Sequence, residues 1–271
     1  MYKTILTCLT SSKSAETLSE VGAYVAEKFG AHLIGAHNSR HILPADEGEP
    51  ETRAEHREHP LEQAEAIQQI FEKVAMSRRL SFEWRHKELP EPQGLTDIVS
   101  QALTVDLIVA GGRDAAGTLG NWYDLPVRLA MEAARPVMLV PANGKYTSIG
   151  KHITVAWNRS RESARAVFEA LPLLKAAESV RLLAINAAAS GALGSGDCLP
   201  QTLTRHDVKV KTIAVEGVTS PAETLTADIA DSHTDLLVMG CFGRPRLLEM
   251  VLGGVTRHVL GNVNVPVLLA H

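Results

Sequence analysis

Short apolar runs of strand length alternate with helix-periodic segments, and the programme then starts again, so the sequence predicts an α/β protein with parallel sheets in two tandem copies. The first strand, Lys3 to Leu9, is matched by Lys151 to Asn158; Asp106 to Gly111 is matched by Asp235 to Gly240, and Arg135 to Val140 by Val265 to Ala270. A third observation is local. The apolar run Leu236 to Met239 breaks into Gly240-Cys241-Phe242-Gly243, and Gly253-Gly254-Val255-Thr256 follows after nine residues. Glycine tolerates positive φ and close approach of a ligand, and such turns beside helix N-termini aim bare N–H groups at an anion. The stretch reads as a phosphate cradle.

After the first strand, Thr10 to Ser14 is rich in hydroxyls and suits a helix N-cap. Leu18, Val21, Val25 and Phe29 then share one helical face, closed by Gly30. Ala31 to Ala36 is a second strand. From His37 to Pro60 the pattern dissolves into prolines, acids and histidines, which predicts a solvated loop. Helical spacing returns from Leu61 to Val74 and runs as far as Arg78-Arg79. Leu80 to Leu89 is a strand bounded by prolines, and Leu95 to Ala102 a short helix. A strand ending in Gly111-Gly112 follows, then a helix with Pro126 in its first turn, and a last short strand from Arg135.

In the second copy one helical segment carries Ser160, Ala164, Val167, Leu171 and Leu174, and Val180 to Asn186 is the next strand. The middle helix is mostly lost: Ala187 to Gly196 is small and glycine-rich, leaving about Asp197 to Arg205 for it. Val208 to Val215 is a strand, and Pro221, Leu225 and Ile229 mark a helix. Asn143 to Tyr146 is the natural linker, which divides the chain into 1–145 and 146–271. The two final strands carry proline and look like edge strands.

The totals exclude several classes. Of 271 residues, 45% are hydrophobic and 21% charged, enough for a core in each half, and only 4% are aromatic, so that core is aliphatic. A formal net charge of −4 argues against a nucleic-acid surface. No apolar run approaches the ~20 residues of a membrane span, and Met1 to Leu6 enters strand pattern with no secretory segment. The three cysteines, Cys8, Cys198 and Cys241, are too widely spaced for a disulfide or zinc framework and read as reduced thiols of a cytoplasmic protein. Cys241 sits in the glycine turn, where a helix N-terminus would lower its pKa; a core-facing, inert thiol is the competing reading.

Two such units, the second ending in Gly240-x2-Gly243-x9-Gly253-Gly254-Val255-Thr256 and then Val265-Pro266-Val267-Leu268-Leu269, resemble a tandem universal stress protein over nearly the whole chain. The resemblance implies a five-stranded, doubly wound, Rossmann-like sheet per copy, with the ligand outside the strands' carboxyl ends. It implies phosphate contacts at Met239, Gly240, Gly243, Gly253, Gly254 and Val255, ribose and adenine contacts at Ala156 and Asn158, and an apolar adenine contact at Ile185. In the family the final strands pair across a dimer; here the two halves of one chain can supply both. The implied function is a stress-response sensor that binds ATP or another adenine nucleotide, with Mg²⁺ arriving on the phosphates and the bound state read by an unidentified protein partner. A second copy of the chain is a further candidate partner.

Two departures from the family pattern weaken the site. Gly254 stands where a Ser or Thr is usual, and Asn158 where an acid is usual. Each loss is on the order of one neutral hydrogen bond, ~0.5–1.5 kcal/mol. Arg244, Arg246 and Arg257 are available to compensate by charge, although a solvated helix face explains them equally. The first copy lacks the glycine spacing and carries Arg113, Asp114 and Asp124 instead, so no nucleotide is expected there.

No Walker lysine, paired carboxylates or Ser-His-Asp order stands out, so any ATP hydrolysis would be slow and incidental. The alternatives are a ligand-free scaffold with a relic motif and a slow ATP-hydrolysing enzyme. His37, His41, His56, His59 and His86 gather around the first-copy loop, but the run is interleaved with Glu and Arg and joined by no cysteine, so no metal site is assigned.

Overall fold

The computed structural model describes residues 1–40, 60–90, 93–111, 125–142, 144, 146, 148–194, 196–217, 219–241 and 254–271. Ten strands form one sheet in the order β3-β2-β1-β4-β5-β10-β9-β6-β7-β8. In the first half β1 is Thr4–Cys8, β2 His32–Arg40, β3 Phe82–Leu89, β4 Leu107–Gly111 and β5 Val137–Val140. In the second, β6 is His152–Ala156, β7 Ser179–Ile185, β8 Val210–Val215, β9 Leu236–Gly240 and β10 Val267–Ala270. Exchanging each strand for its counterpart reverses the order onto itself, so the internal repeat is a repeat of topology. Within each half all pairings are parallel; the halves join where β5 and β10 run antiparallel, with Leu139 opposite Val267 and Val137 opposite Leu269. The final strands therefore pair between the halves as expected.

Helices cover both faces. α1 (Ser12–Phe29), α2 (Pro60–Ser77), α5 (Arg161–Glu169), α6 (Leu171–Ala176) and α8 (Leu199–Arg205) lie on one side with Leu33, Val155, Val238 and Leu268 of the strands. α3 (Gln93–Ala102), α4 (Leu125–Glu132), α9 (Pro221–Asp231) and α10 (Gly254–Asn262) cover the other, over Ile34, Ile108, Leu237 and Leu269. Both apolar layers run unbroken across the β5–β10 seam. Tyr2 Oη donates to the Glu169 carbonyl at 2.7 Å and Lys28 Nζ to the Gly150 carbonyl at 3.2 Å, adding polar ties between the halves.

The local signals act as expected at α1, where Ser11 accepts from the Ser14 amide and Gly30 takes a left-handed φ of 60°. The aspartates before β4 and β9 have matching structural jobs. Asp106 accepts from the Lys3 and Thr4 amides, and Asp235 from the Lys151 and His152 amides, each tying the amino end of the first strand of its half.

Three expectations change. The chain does not leave the sheet at His37: β2 runs on to Arg40, and His37, Asn38 and Ser39 are buried polar residues rather than loop. The segment from Ser160 to Leu174 breaks at Ala170 into α5 and α6, because Pro172 has no N–H to continue the ladder. The small-residue stretch holds a one-turn helix α7, Ala187–Ser190, ahead of α8.

Candidate nucleotide-type site at the carboxyl edge of β6 and β9

From β6 the chain crosses over to β7 on one side, and from β9 to β10 on the other, so the carboxyl ends of β6 and β9 flank the switch point where open α/β sheets hold ligands. Ala156 and Met239 are register partners there. Ile185 lies on β7 two residues beyond Leu183, the register partner of Ala156. Strand alternation puts all three on the face covered by α9 and α10. Met239 is 5% exposed, but Ala156 and Ile185 are only half-buried, as are Ile213 and Val215 on β8. The predicted adenine contacts thus form one apolar shelf that the protein's own helices cover incompletely.

α10 carries the chain from β9 to β10, which brings its N-terminus to the same end and the same face. Gly254 and Val255 open the helix and are exposed, and Thr256 behind them is buried. Among the described residues no side chain caps their amides, and the positive end of the helix dipole lies at this edge. Arg257 is exposed in the same turn. Gly243, Gly253, Arg244 and Arg246 lie outside the described residues.

The N-terminus of α5, at the same edge, differs. Ser160 Oγ accepts from the Ser163 amide at 3.1 Å. The Glu162 carboxylate, 6% exposed, would be raised in pKa by burial, but its own amide, Ser160 and Arg161 outweigh that and hold it below the usual range. An ionised carboxylate already occupies this dipole, which disfavours an incoming anion at α5.

Gly240 has an intramolecular reason to be glycine. A Cβ there would meet the Ser163 amide nitrogen, the Glu162 carbonyl carbon at 2.5 Å and the Glu162 Cβ at 2.8 Å. Its absence lets α5 seat against the end of β9. At the counterpart Gly111 a Cβ would meet only Leu18 Cδ1, at an ordinary 3.5 Å. Asn158 is exposed, and its Oδ1 accepts from the Ser160 amide at 3.1 Å, an Asx turn into α5. Cys241 is buried, its amide bonded to the Ala270 carbonyl at 3.0 Å. Burial, and then the Glu162 charge, push its thiol up to about 12, so the core-facing inert reading of this cysteine holds.

Residues 187–271 match the model of the universal stress protein family. Universal stress protein MJ0577 of Methanocaldococcus jannaschii is 39% identical over 61 residues, 22% of this chain and 36% of the relative's length. Residues 187–271 are thus similar to the universal stress protein family. A universal stress protein from Archaeoglobus fulgidus aligns over 98% of this chain and 97% of its own at a TM-score of 0.71 and 15% identity. A protein of unknown function from Pseudomonas aeruginosa PAO1 aligns over 99% and 92% at 0.63 and 14%. The whole chain thus shares the Rossmann-like α/β fold of these structures.

The two copies of that fold differ at the edge where a ligand would sit. The Leu9 amide bonds the Ala36 carbonyl as the Trp157 amide bonds that of Leu183; two residues on, Asn38 therefore stands where the second copy has Ile185. Asn38 is 2% exposed, and its Nδ2 donates to the Gly94 carbonyl at 2.9 Å and to Asp97 Oδ2 at 3.1 Å. In the first copy the shelf is closed by the protein itself. Arg113, Asp114 and Asp124 lie outside the described residues.

One feature of the second universal stress protein copy had almost no sequence signal. Trp157 is buried at the end of β6, and its Nε1 donates to Asp197 Oδ2 at 2.5 Å; the Leu193 and Leu199 amides donate to the same carboxylate. Burial works to raise the Asp197 pKa, but the indole and the two amides together bring it below the usual range. Arg159, at a left-handed φ of 57°, donates to the Gly191 carbonyl at 3.1 Å. Together they strap residues 187–198 across the α5 side of the edge. The one clue was the indole N–H, which needs a partner when buried.

Among the described residues no group of three or more His, Cys, Asp or Glu is arranged to hold a metal, and no helix is long and apolar enough to cross a membrane. His41, His56 and His59 lie outside the described residues.

Proposed function

We propose that the second copy binds a phosphorylated adenosine, with ATP as the leading candidate, and acts as a sensor whose bound state is read by another protein. One coincidence carries the reading: a half-open apolar shelf (Ala156, Ile185, Met239) and an exposed helix N-terminus (Gly254, Val255) lie at the same end of the sheet and on the same face. The shelf suits an adenine ring. Asn158, at the exposed end of β6, suits a ribose hydroxyl. The α10 amides and Gly240 at the end of β9 suit the phosphates, together with Gly243 and Gly253 of the sequence motif.

Such a donor set of neutral amides fits a polyphosphate and supplies no carboxylate cage, so Mg²⁺ would enter on the phosphates, where it offsets their charge. Asp235 is occupied at the opposite end of the sheet by the Lys151 and His152 amides and is no base for this site. Without a positioned base, the chemistry expected is binding rather than turnover.

Isothermal titration calorimetry with ATP, ADP and AMP, each with Mg²⁺, tests the reading. Saturable heat and a raised melting temperature are expected for ATP; neither, at millimolar ATP, would overturn it. The packing reason for Gly240 favours a second reading, a ligand-free scaffold that keeps the motif for its fold. Native mass spectrometry of the purified protein separates them by whether an adenine nucleotide is carried.

A further inference from the structure

His37 is not part of the proposed nucleotide site. It lies at the carboxyl end of the first half, on the α1 and α2 face of β2, and is 3% exposed. Its Nδ1 is 2.6 Å from the Leu9 carbonyl oxygen. A carbonyl only accepts, so Nδ1 carries the proton and Nε2 keeps a lone pair. That Nε2 is buried and meets no hydrogen-bond partner. His86 is its register partner on β3. The two rings stack with centroids 5.7 Å apart and planes 11° from parallel, and His86 Nε2 lies 2.9 Å from Ser39 Oγ.

Among the described residues no carboxylate is bonded to the His37 ring. β1 presents the Leu9 carbonyl, already bonded to Nδ1. Lys13 and Glu16 of α1 and Glu62 and Glu65 of α2 are exposed. Glu83, Arg85 and Lys87 alternate onto the other face of β3, where Lys87 pairs with Asp97 of α3 at 2.5 Å and Arg85 with Glu83. Among the described residues of β3, His86 and, two positions on, the exposed Glu88 stand on the side of His37. Burial, partly opposed by the Leu9 carbonyl and reinforced by His86, holds the His37 imidazole below its ordinary value.

We propose that the His37–His86 pair is an acid-operated latch: a solvent proton arriving at His37 Nε2 has no acceptor in the closed packing of β2 against β3, and its binding opens the carboxyl ends of these two strands. The sign follows from linkage. The closed form binds the proton more weakly than an exposed histidine with a value of about 6.5, so opening takes up a proton. The open form gains as the pH falls below about 6.5, by up to tenfold per pH unit until the closed-form value is reached. At higher pH the latch stays shut.

Hydrogen exchange on the full chain from about pH 7.5 to about pH 5, corrected for intrinsic rates and read at residues 37–40 and 86–89, tests it. In the natural protein, protection there should fall by up to tenfold per pH unit below about 6.5. It should stay flat in His37→Asn, whose amide can donate to the Leu9 carbonyl without titrating. His86→Gln keeps a partner for Ser39 and removes the ring that helps hold the closed-form value of His37 down, so the onset should stay near 6.5 while the fall in protection levels off at a higher pH and is smaller in total. Flat protection in the natural protein, or an equal fall in His37→Asn, overturns the latch. Should His37→Asn fail to fold, NMR titration of the natural protein decides: a His37 ring that titrates near 6.5 with no change in exchange also overturns it.

Discussion

Asn38 and Ile185 occupy the same register position in the two halves of one sheet, yet Asn38 is shut beneath α3 by Gly94 and Asp97 while Ile185 lies half-exposed. A carboxamide that finds two partners closes the edge of one copy; an aliphatic side chain that finds none leaves the other open. Ile185→Asn should raise the ATP dissociation constant about tenfold, since losing part of one aliphatic contact is worth on the order of 1.4 kcal/mol. Calorimetry checks this, and an unchanged constant would mean that adenine does not lie on the shelf.

Asn38→Leu removes the donor from the buried Gly94 carbonyl and from the half-buried Asp97. It should destabilise the protein by ~1–3 kcal/mol in urea unfolding and leave nucleotide affinity unaltered. A loss of affinity would show the two edges to be coupled.

Gly240→Ala drives a methyl into the backbone of α5, whereas Gly111→Ala meets only a leucine methyl at contact distance. The first should cost ~1–3 kcal/mol of stability even without ligand, and the second should cost less. Equal costs would remove the packing reason for the glycine.

Truncation after Asn264 removes β10 and strips Val137–Val140 of its antiparallel partner. Both apolar layers cross this seam, so both halves should lose stability together. A first half that kept its full melting transition would contradict the shared core.

Cys8 and Cys241 are buried thiols pushed up to about 12, whereas Cys198 is exposed. At pH 8 a thiol reagent should modify Cys198 quickly in the native protein and reach the other two only on unfolding. Fast modification of Cys241 would restore the redox reading.

The folded Asp197 releases its proton more readily than the unfolded chain does, so unfolding takes up a proton as the pH falls through the carboxylate range near 4. This part of the stability is present above that range and lost below it. Trp157→Phe removes one of the donors that hold the anion. It should lower stability at neutral pH and flatten the acid limb of the stability curve; an unchanged limb would place the acid sensitivity elsewhere.

The strands and helices were legible because their signals are local. Val267 to Ala270 and Leu107 to Gly111 are short apolar runs beside proline or glycine, and α1 is a periodic stripe between a serine cap and a left-handed glycine. His37 to Arg40 misled because four polar residues in a row read as loop, while the register with β3 and the bonds to Leu9, Gly94 and His86 keep them in the sheet. The Trp157–Asp197 tie was invisible for a related reason: its partners are forty positions apart and neither has a spacing rule.

The sequence by itself determined the alternation, the duplication and the glycine spacing at the end of β9, all properties of neighbours along the chain. Only the tertiary structure decided that Ala156, Ile185 and Met239 share a face with the start of α10, that Glu162 already fills the other helix terminus, and that Asn38 closes the first copy. Each depends on which strands lie side by side and which donors are already spent, and those are set by packing across the sheet rather than by order along the chain.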